Sequence, residues 1–97
     1  MERIGVMMSD PMQVKVGDAV IYYNPVGKPH PGIITAVWNP PMVNLVYVSS
    51  DESKTDPYGR QIERATSLYH KSKTQVHGMY WAYADEEPNP IVAPTQK

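Results

Sequence analysis

Ninety-seven residues are enough for one small domain and too few for two that each bury a core, since domains run to about 100–150 residues. Hydrophobic residues at 41% against 20% charged, with two Trp and seven Tyr, exclude the low-hydropathy, high-charge balance of a disordered chain. Zero Cys excludes disulfides, thiolate nucleophiles and Cys-ligated metal sites, and a formal charge of −1 argues against bulk attraction to nucleic acid or an anionic membrane.

No apolar run approaches the ~20 residues that cross a bilayer. Met1-Glu2-Arg3-Ile4-Gly5-Val6 lacks the long apolar stretch of a signal peptide, so a cytosolic or assembly-bound protein is expected. Ten prolines and six glycines cut the chain into short pieces rich in Val, Ile, Thr, Tyr and Trp, which is strand chemistry. Residues 1–12 form a Met-rich lead ending in Ser9-Asp10-Pro11, where Asp before Pro favours a turn. Strand character begins near Gln13 with Val14-Lys15-Val16. Gly17-Asp18 then bends the chain, Gly17 supplying a permissive backbone and Asp18 a carboxylate for nearby N–H groups. Ala19-Val20-Ile21-Tyr22-Tyr23 resumes as a strand. Asn24 to Gly32 holds five Pro or Gly residues in nine and reads as a loop.

Ile33-Ile34-Thr35-Ala36-Val37-Trp38 and Met42-Val43-Asn44-Leu45-Val46-Tyr47-Val48 flank Asn39-Pro40-Pro41 and predict an antiparallel hairpin, with the prolines in the connection because they donate no ladder bond. Ser49 to Arg60 is the longest polar loop. Residues 61–69 carry apolar positions at helical spacing together with Thr66 and Tyr69, which suit a strand; a strand is the preferred reading, a helical turn the alternative. Val76 to Tyr83 is the last strand candidate, with Tyr80 on one face and Met79, Trp81 and Tyr83 on the other. The acidic Asp85-Glu86-Glu87 opens a tail with prolines at 88, 90 and 94, which alone would be extended. Five short strands and almost no helix predict an all-β fold: a small five-stranded SH3-like barrel over 13–84, with an N-terminal arm at 1–12 and a Pro-rich C-terminal arm at 85–97.

Val16-Gly17-Asp18-Ala19-Val20, then Pro31-Gly32-Ile33-Ile34-Thr35-Ala36-Val37-Trp38 and Val43-Asn44-Leu45-Val46, resemble the small SH3-like barrel proteins encoded by many tailed phages. Those proteins carry a Gly-Asp-x-Val opening, a Pro-rich loop, an Ile-Thr-x-Val strand and a Val-x-Leu strand; Thr66-Ser67 and Gly78-Met79-Tyr80-Trp81 fit the later part of the pattern. The resemblance spans roughly residues 14–83, while the Met-rich lead and the Pro-rich tail depart from it. It implies a phage setting, in the virion or the host cytoplasm, and a binding or structural role with no catalytic residue. The expected activity is therefore a non-enzymatic accessory protein that binds capsid or tail proteins or copies of itself. The alternative is a phage-encoded binder of a host factor or nucleic acid.

The chemistry-bearing residues support no catalytic or cofactor centre. His30, His70 and His77 lack metal-ligand spacing and read as surface or turn histidines. No Gly-x-Ser-x-Gly elbow or phosphate-binding Gly-rich loop occurs, and Asp51-Glu52 lies in a solvated loop, whereas general acid–base work needs a concave, partly dry site. Arg60, Arg64, Lys71 and Lys73 form a basic strip beside Tyr58, Tyr69 and His70, a candidate contact for nucleic acid or an acidic partner; with near-zero net charge it reads better as a solvated face. The absence of Phe gives every aromatic ring a polar handle, as suits rings half buried at interfaces. Tyr22, Tyr58, Tyr69, Tyr80 and Tyr83 are thus expected to meet a protein partner, and Trp38 and Trp81 to pack in the core. Ile91-Val92, between prolines, offers an apolar anchor on a pre-extended backbone, and Met1, Met7, Met8 and Met12 adaptable contacts.

Overall fold

A computed structural model describes residues 10–74 and 78–89. The fold is all-β: five strands, β1 (Ala19–Tyr23), β2 (Pro29–Val37), β3 (Val43–Val48), β6 (Ile62–His70) and β7 (Tyr80–Ala82), close into a barrel in the order β1-β2-β3-β6-β7. This arrangement is compatible with a small SH3-like barrel. Successive neighbours are antiparallel except β6 and β7, which pair in parallel through Tyr69–Tyr80 and His70–Trp81. Between β3 and β6 a small hairpin of β4 (Thr55–Asp56) and β5 (Gly59–Arg60) stands apart from the barrel. Closure removes the open edges that so apolar a sheet would otherwise expose.

Each strand has a local cause. Ahead of β1, Asp18 accepts the backbone N–H of Lys15 through Oδ2 at 3.0 Å, and Gly17 takes φ +95°, a left-handed value that costs other residues free energy. β2 begins at Pro29, four residues earlier than the loop reading of Asn24 to Gly32 allows. Ladder geometry explains it. Both the N–H and the C=O of Ile34 bond toward the β1 side, so by alternation Gly32 and His30 do likewise, and the nitrogens of Pro31 and Pro29 face the β3 side. β3 pairing ends at Gly32, so no ladder bond is lost there. Gly32 itself faces inward, where a Cβ would press on the Val46 carbonyl at 3.0 Å and the Leu45 side chain.

Of residues 61–69, all but Gln61 are strand, and His70 completes β6 (Ile62–His70). Their helix-like spacing is produced by a bulge: Val43 pairs with Leu68 and Leu45 with Ala65, so Thr66 and Ser67 together oppose Asn44. Ser67 sits at φ +57°. Its N–H, taken out of the ladder, donates to Asn44 Oδ1 at 2.9 Å.

The barrel interior is filled by Val14, Val20, Tyr22, Ile34, Val43, Leu45, Ala65, Leu68 and Trp81. Tyr23, Tyr80 and Ala82 form a second cluster, with the Tyr23 and Tyr80 rings stacked at 4.9 Å. Every residue of β7 is buried, so Tyr80 and Trp81 are both covered although they point to opposite faces of the strand. Residues 86–89 contribute to this cover: Asn89 donates its N–H to the Tyr80 hydroxyl at 2.7 Å and its side-chain amide to the carbonyls of Lys71 and Thr74.

Candidate functional site

The predicted partner-facing tyrosines divide sharply. Tyr22 and Tyr80 are corrections: both are buried, the Tyr22 ring tilted against that of Tyr47 at 4.7 Å and its hydroxyl donating to Met79 Sδ at 3.4 Å. Tyr22 fills an inward position of a barrel this small, whereas Tyr80, on the opposite face of β7 from Trp81, is covered by Tyr23 and by the segment around Asn89. Tyr83 is half buried, T-shaped against Trp81 at 5.1 Å, and its hydroxyl donates to the Asp10 carbonyl at 3.1 Å. Burial first, then the carboxylates of Asp18, Glu86 and Asp10, raises its pKa above the ordinary tyrosine value. Tyr69 is exposed, and Tyr58 is 97% exposed at the tip of the β4–β5 hairpin, where Asp56 Oδ1 accepts its N–H at 2.8 Å. Ile91 and Val92 lie outside the described residues, as does His77.

Trp38, expected in the core beside Trp81, is 59% exposed; it follows the last residue of β2, and its indole N–H donates to Asn44 Oδ1 at 3.0 Å. Trp81 is fully buried. Nor are His30 and His70 surface histidines, since both are buried. His30 packs against both Tyr22 and Tyr47, and its pKa is lowered by burial and then by the Lys28 charge. His70 Nδ1 accepts the Ser72 backbone N–H at 3.1 Å. The network therefore assigns the proton to Nε2, which donates to Glu86 Oε1 at 2.7 Å. Glu86 Oε1 also accepts the Tyr83 N–H at 2.7 Å. This His–Glu pair resembles a general-base arrangement in isolation, yet it ties the segment after β7 to the end of β6. Among the described residues no cluster of three metal-ligating side chains forms.

The basic strip is dispersed. Arg60 donates to the Ser49 carbonyl at 2.9 Å, Arg64 projects from the first part of β6, and Lys71 and Lys73 occupy a 3₁₀ turn beyond its end. Strand rise sets Arg64 and Lys71 roughly 20 Å apart. Near the start of β6, Glu63 is hydrogen-bonded by Tyr47 and paired with Lys54 at 3.3 Å. The Ser49 hydroxyl, with Lys54 and Tyr47, holds its carboxyl below the usual range.

What the sequence reading missed is on the outside of the barrel. Outward-facing Ala19 and Ile21 of β1 lie opposite Ile33 and Pro31 of β2; Ile33 in turn lies opposite Val46 of β3, and Val48 opposite Ile62 of β6. With Ala84 these residues line a groove of about 290 Å³ whose walls are almost wholly apolar. Ile33 is 45%, Val48 51% and Ile62 59% exposed. The signal was present: Val43 to Val48 is apolar on both of its alternating faces except at Asn44, and strands of that kind are covered on both sides. A water-facing sheet would alternate. The groove can bury aliphatic side chains, at about 25 cal/mol per Å² removed from water.

No protein-family model, curated protein or solved structure matches this chain.

Proposed function

We propose that this protein is a non-enzymatic protein-binding module, and that the groove on the outer face of β1, β2, β3 and β6 receives an apolar segment of another protein. The observation that carries the reading is that continuous groove: aliphatic side chains from four strands, half exposed, on a barrel whose interior is already filled. Contiguous apolar surface of this kind mostly marks an interaction site. Tyr58 on its projecting hairpin offers a second contact of the rigid aromatic type that anchors interfaces. The buried His70–Glu86 pair supports the non-enzymatic reading, because its ring nitrogens are spent on Ser72 and Glu86 and it does not line the groove.

The motif resemblance to tailed-phage barrels extends the proposal to a virion component: decoration, cement, or part of the head–tail or tail assembly. A mass-spectrometric inventory of purified particles tests it. Stoichiometric presence is the expected result. Absence from particles overturns the virion role and turns the reading to a host-factor binder in the cytoplasm.

A further inference from the structure

We propose that the partner enters as an extended strand laid along the free edge of β6, with an aliphatic side chain beside Ile62 and an acidic one beside Arg64. This deepens the docking reading above and rests on it for the groove; the edge is a separate observation. Closure spares one stretch of β6. β7 is three residues long and pairs with β6 only at Tyr69 and His70, so no strand among the described residues flanks Ile62 to Thr66 on that side. The Gln61 carbonyl accepts the Ser49 N–H at 2.9 Å, which turns the backbone groups of Gln61, and by alternation those of Glu63 and Ala65, toward β3. Ile62, Arg64 and Thr66 therefore aim both N–H and C=O at the open side, where no described backbone group meets them. Ser67 ends the stretch, because its N–H is turned to Asn44 Oδ1. A run of about 5 residues is ordinary strand length.

Unpaired edges recruit extended segments, with main-chain bonds supplying affinity and alternate side chains supplying specificity. Here the specificity is set on the outer face. Ile62, 59% exposed, lines the groove, and the exposed Arg64 lies opposite the groove residue Val46. Positions two apart share a face. The added strand thus carries its aliphatic residue beside Ile62, widening the apolar surface, and its carboxylate two residues away beside Arg64. Arg64 has no ion pair among the described residues, whereas neighbouring Glu63 is already paired with Lys54. A second copy fits badly: the antiparallel register that uses the whole edge sets Arg64 directly opposite its own copy, and like charges so placed repel. The edge therefore selects a different chain, one with an aliphatic and acidic strand.

Amide hydrogen exchange of the full-length chain, read residue by residue by NMR, is the test. In the free protein Ile62, Arg64 and Thr66 should exchange fast while Glu63 and Ala65, inside the ladder, exchange slowly. The probe is a capped octapeptide with lysine at each end, threonine on one face of the strand and valine, aspartate and valine on the other. At millimolar concentration it should slow those three edge amides about tenfold, and the same peptide N-methylated along its core should not. Arg64→Glu should weaken binding about fivefold or more, and a peptide with lysine in place of the aspartate should recover it. Edge amides that stay fast with the peptide, that are already slow in dilute free protein, or that the methylated peptide slows equally overturn the inference, as does unchanged binding by Arg64→Glu. So does slowing that grows with protein concentration alone, because the occupant is then a second copy. If Val48 crosslinks a partner in particles while the peptide leaves the edge unprotected, this inference alone falls; protection in a chain absent from particles leaves it standing and removes the virion role.

Discussion

The indole N–H of Trp81 donates to the carbonyl of Pro41, 2.8 Å away and forty residues earlier in the chain. This bond ties the closing strand β7, three residues long, to the turn between β2 and β3 on the far side of the barrel. Trp81→Phe removes the donor, leaves a buried carbonyl unsatisfied and opens a void, so it should cost about 2–4 kcal/mol. Urea denaturation checks this. A loss under about 1 kcal/mol would show that closure does not depend on that bond.

Gly78 and Gly17 should respond to alanine for different reasons. A Cβ at Gly78 would run into the backbone carbonyl of Asn24, in a turn held by Asn24 Oδ1 accepting the N–H groups of Val26 and Lys28 at 3.0 and 2.9 Å. Backbone has little room to yield, so Gly78→Ala should cost about 3 kcal/mol or more. At Gly17 nothing lies within 4 Å, and only the left-handed φ opposes a side chain, for about 1 kcal/mol. Chemical denaturation of the two variants side by side should return that order; equal losses would refute the collision.

The folded state should lose stability as pH falls below 6.5, the ordinary histidine value, because burial and then Lys28 hold the His30 pKa lower in the fold. In that window the unfolded chain binds the proton and the folded chain does not, which favours unfolding. Above 6.5 both states are neutral at this site and the effect vanishes. His30→Phe keeps a ring against Tyr22 and Tyr47 and removes the titration, so its unfolding midpoint should fall less steeply with acid than the parent's. An unchanged slope would exclude His30 as the source.

Neighbouring residues of β2 should separate fold from surface. Ile34 is 1% exposed in the core, and Ile33 faces the groove. Ile34→Asp buries an unpaired carboxylate at a cost of several kcal/mol, enough to unfold so small a domain. Ile33→Asp should cost no more than about 1 kcal/mol. Circular dichroism melting of both decides it, and a collapse of the Ile33 variant would mean that the outer face is part of the core.

Much of this fold was legible in the primary structure, and the failures share a cause. β-branched runs and proline punctuation locate β1, β3 and the hairpin to β2, because those signals are local. Pro29 and Pro31 read as loop because their tolerance depends on which side of β2 lacks a partner, a fact of pairing. Residues 61–69 look ambiguous because a bulge at Thr66-Ser67 shifts the strand period. Tyr22, Tyr80 and Trp38 show that residue type does not tell inside from outside in a barrel where both faces are apolar. The groove was written in Val43 to Val48, but only register shows that Ile33, Val46, Val48 and Ile62 meet.

Site-specific photocrosslinking most directly tests whether the groove is where another protein docks. A benzophenone side chain is placed at Val48, within the groove, or at Asp51, outside it, and irradiated in assembling particles of the proposed virion setting. The account predicts one discrete protein adduct from Val48 and none from Asp51. Adducts from both positions alike, or none from Val48 in particles that contain the chain, would contradict it.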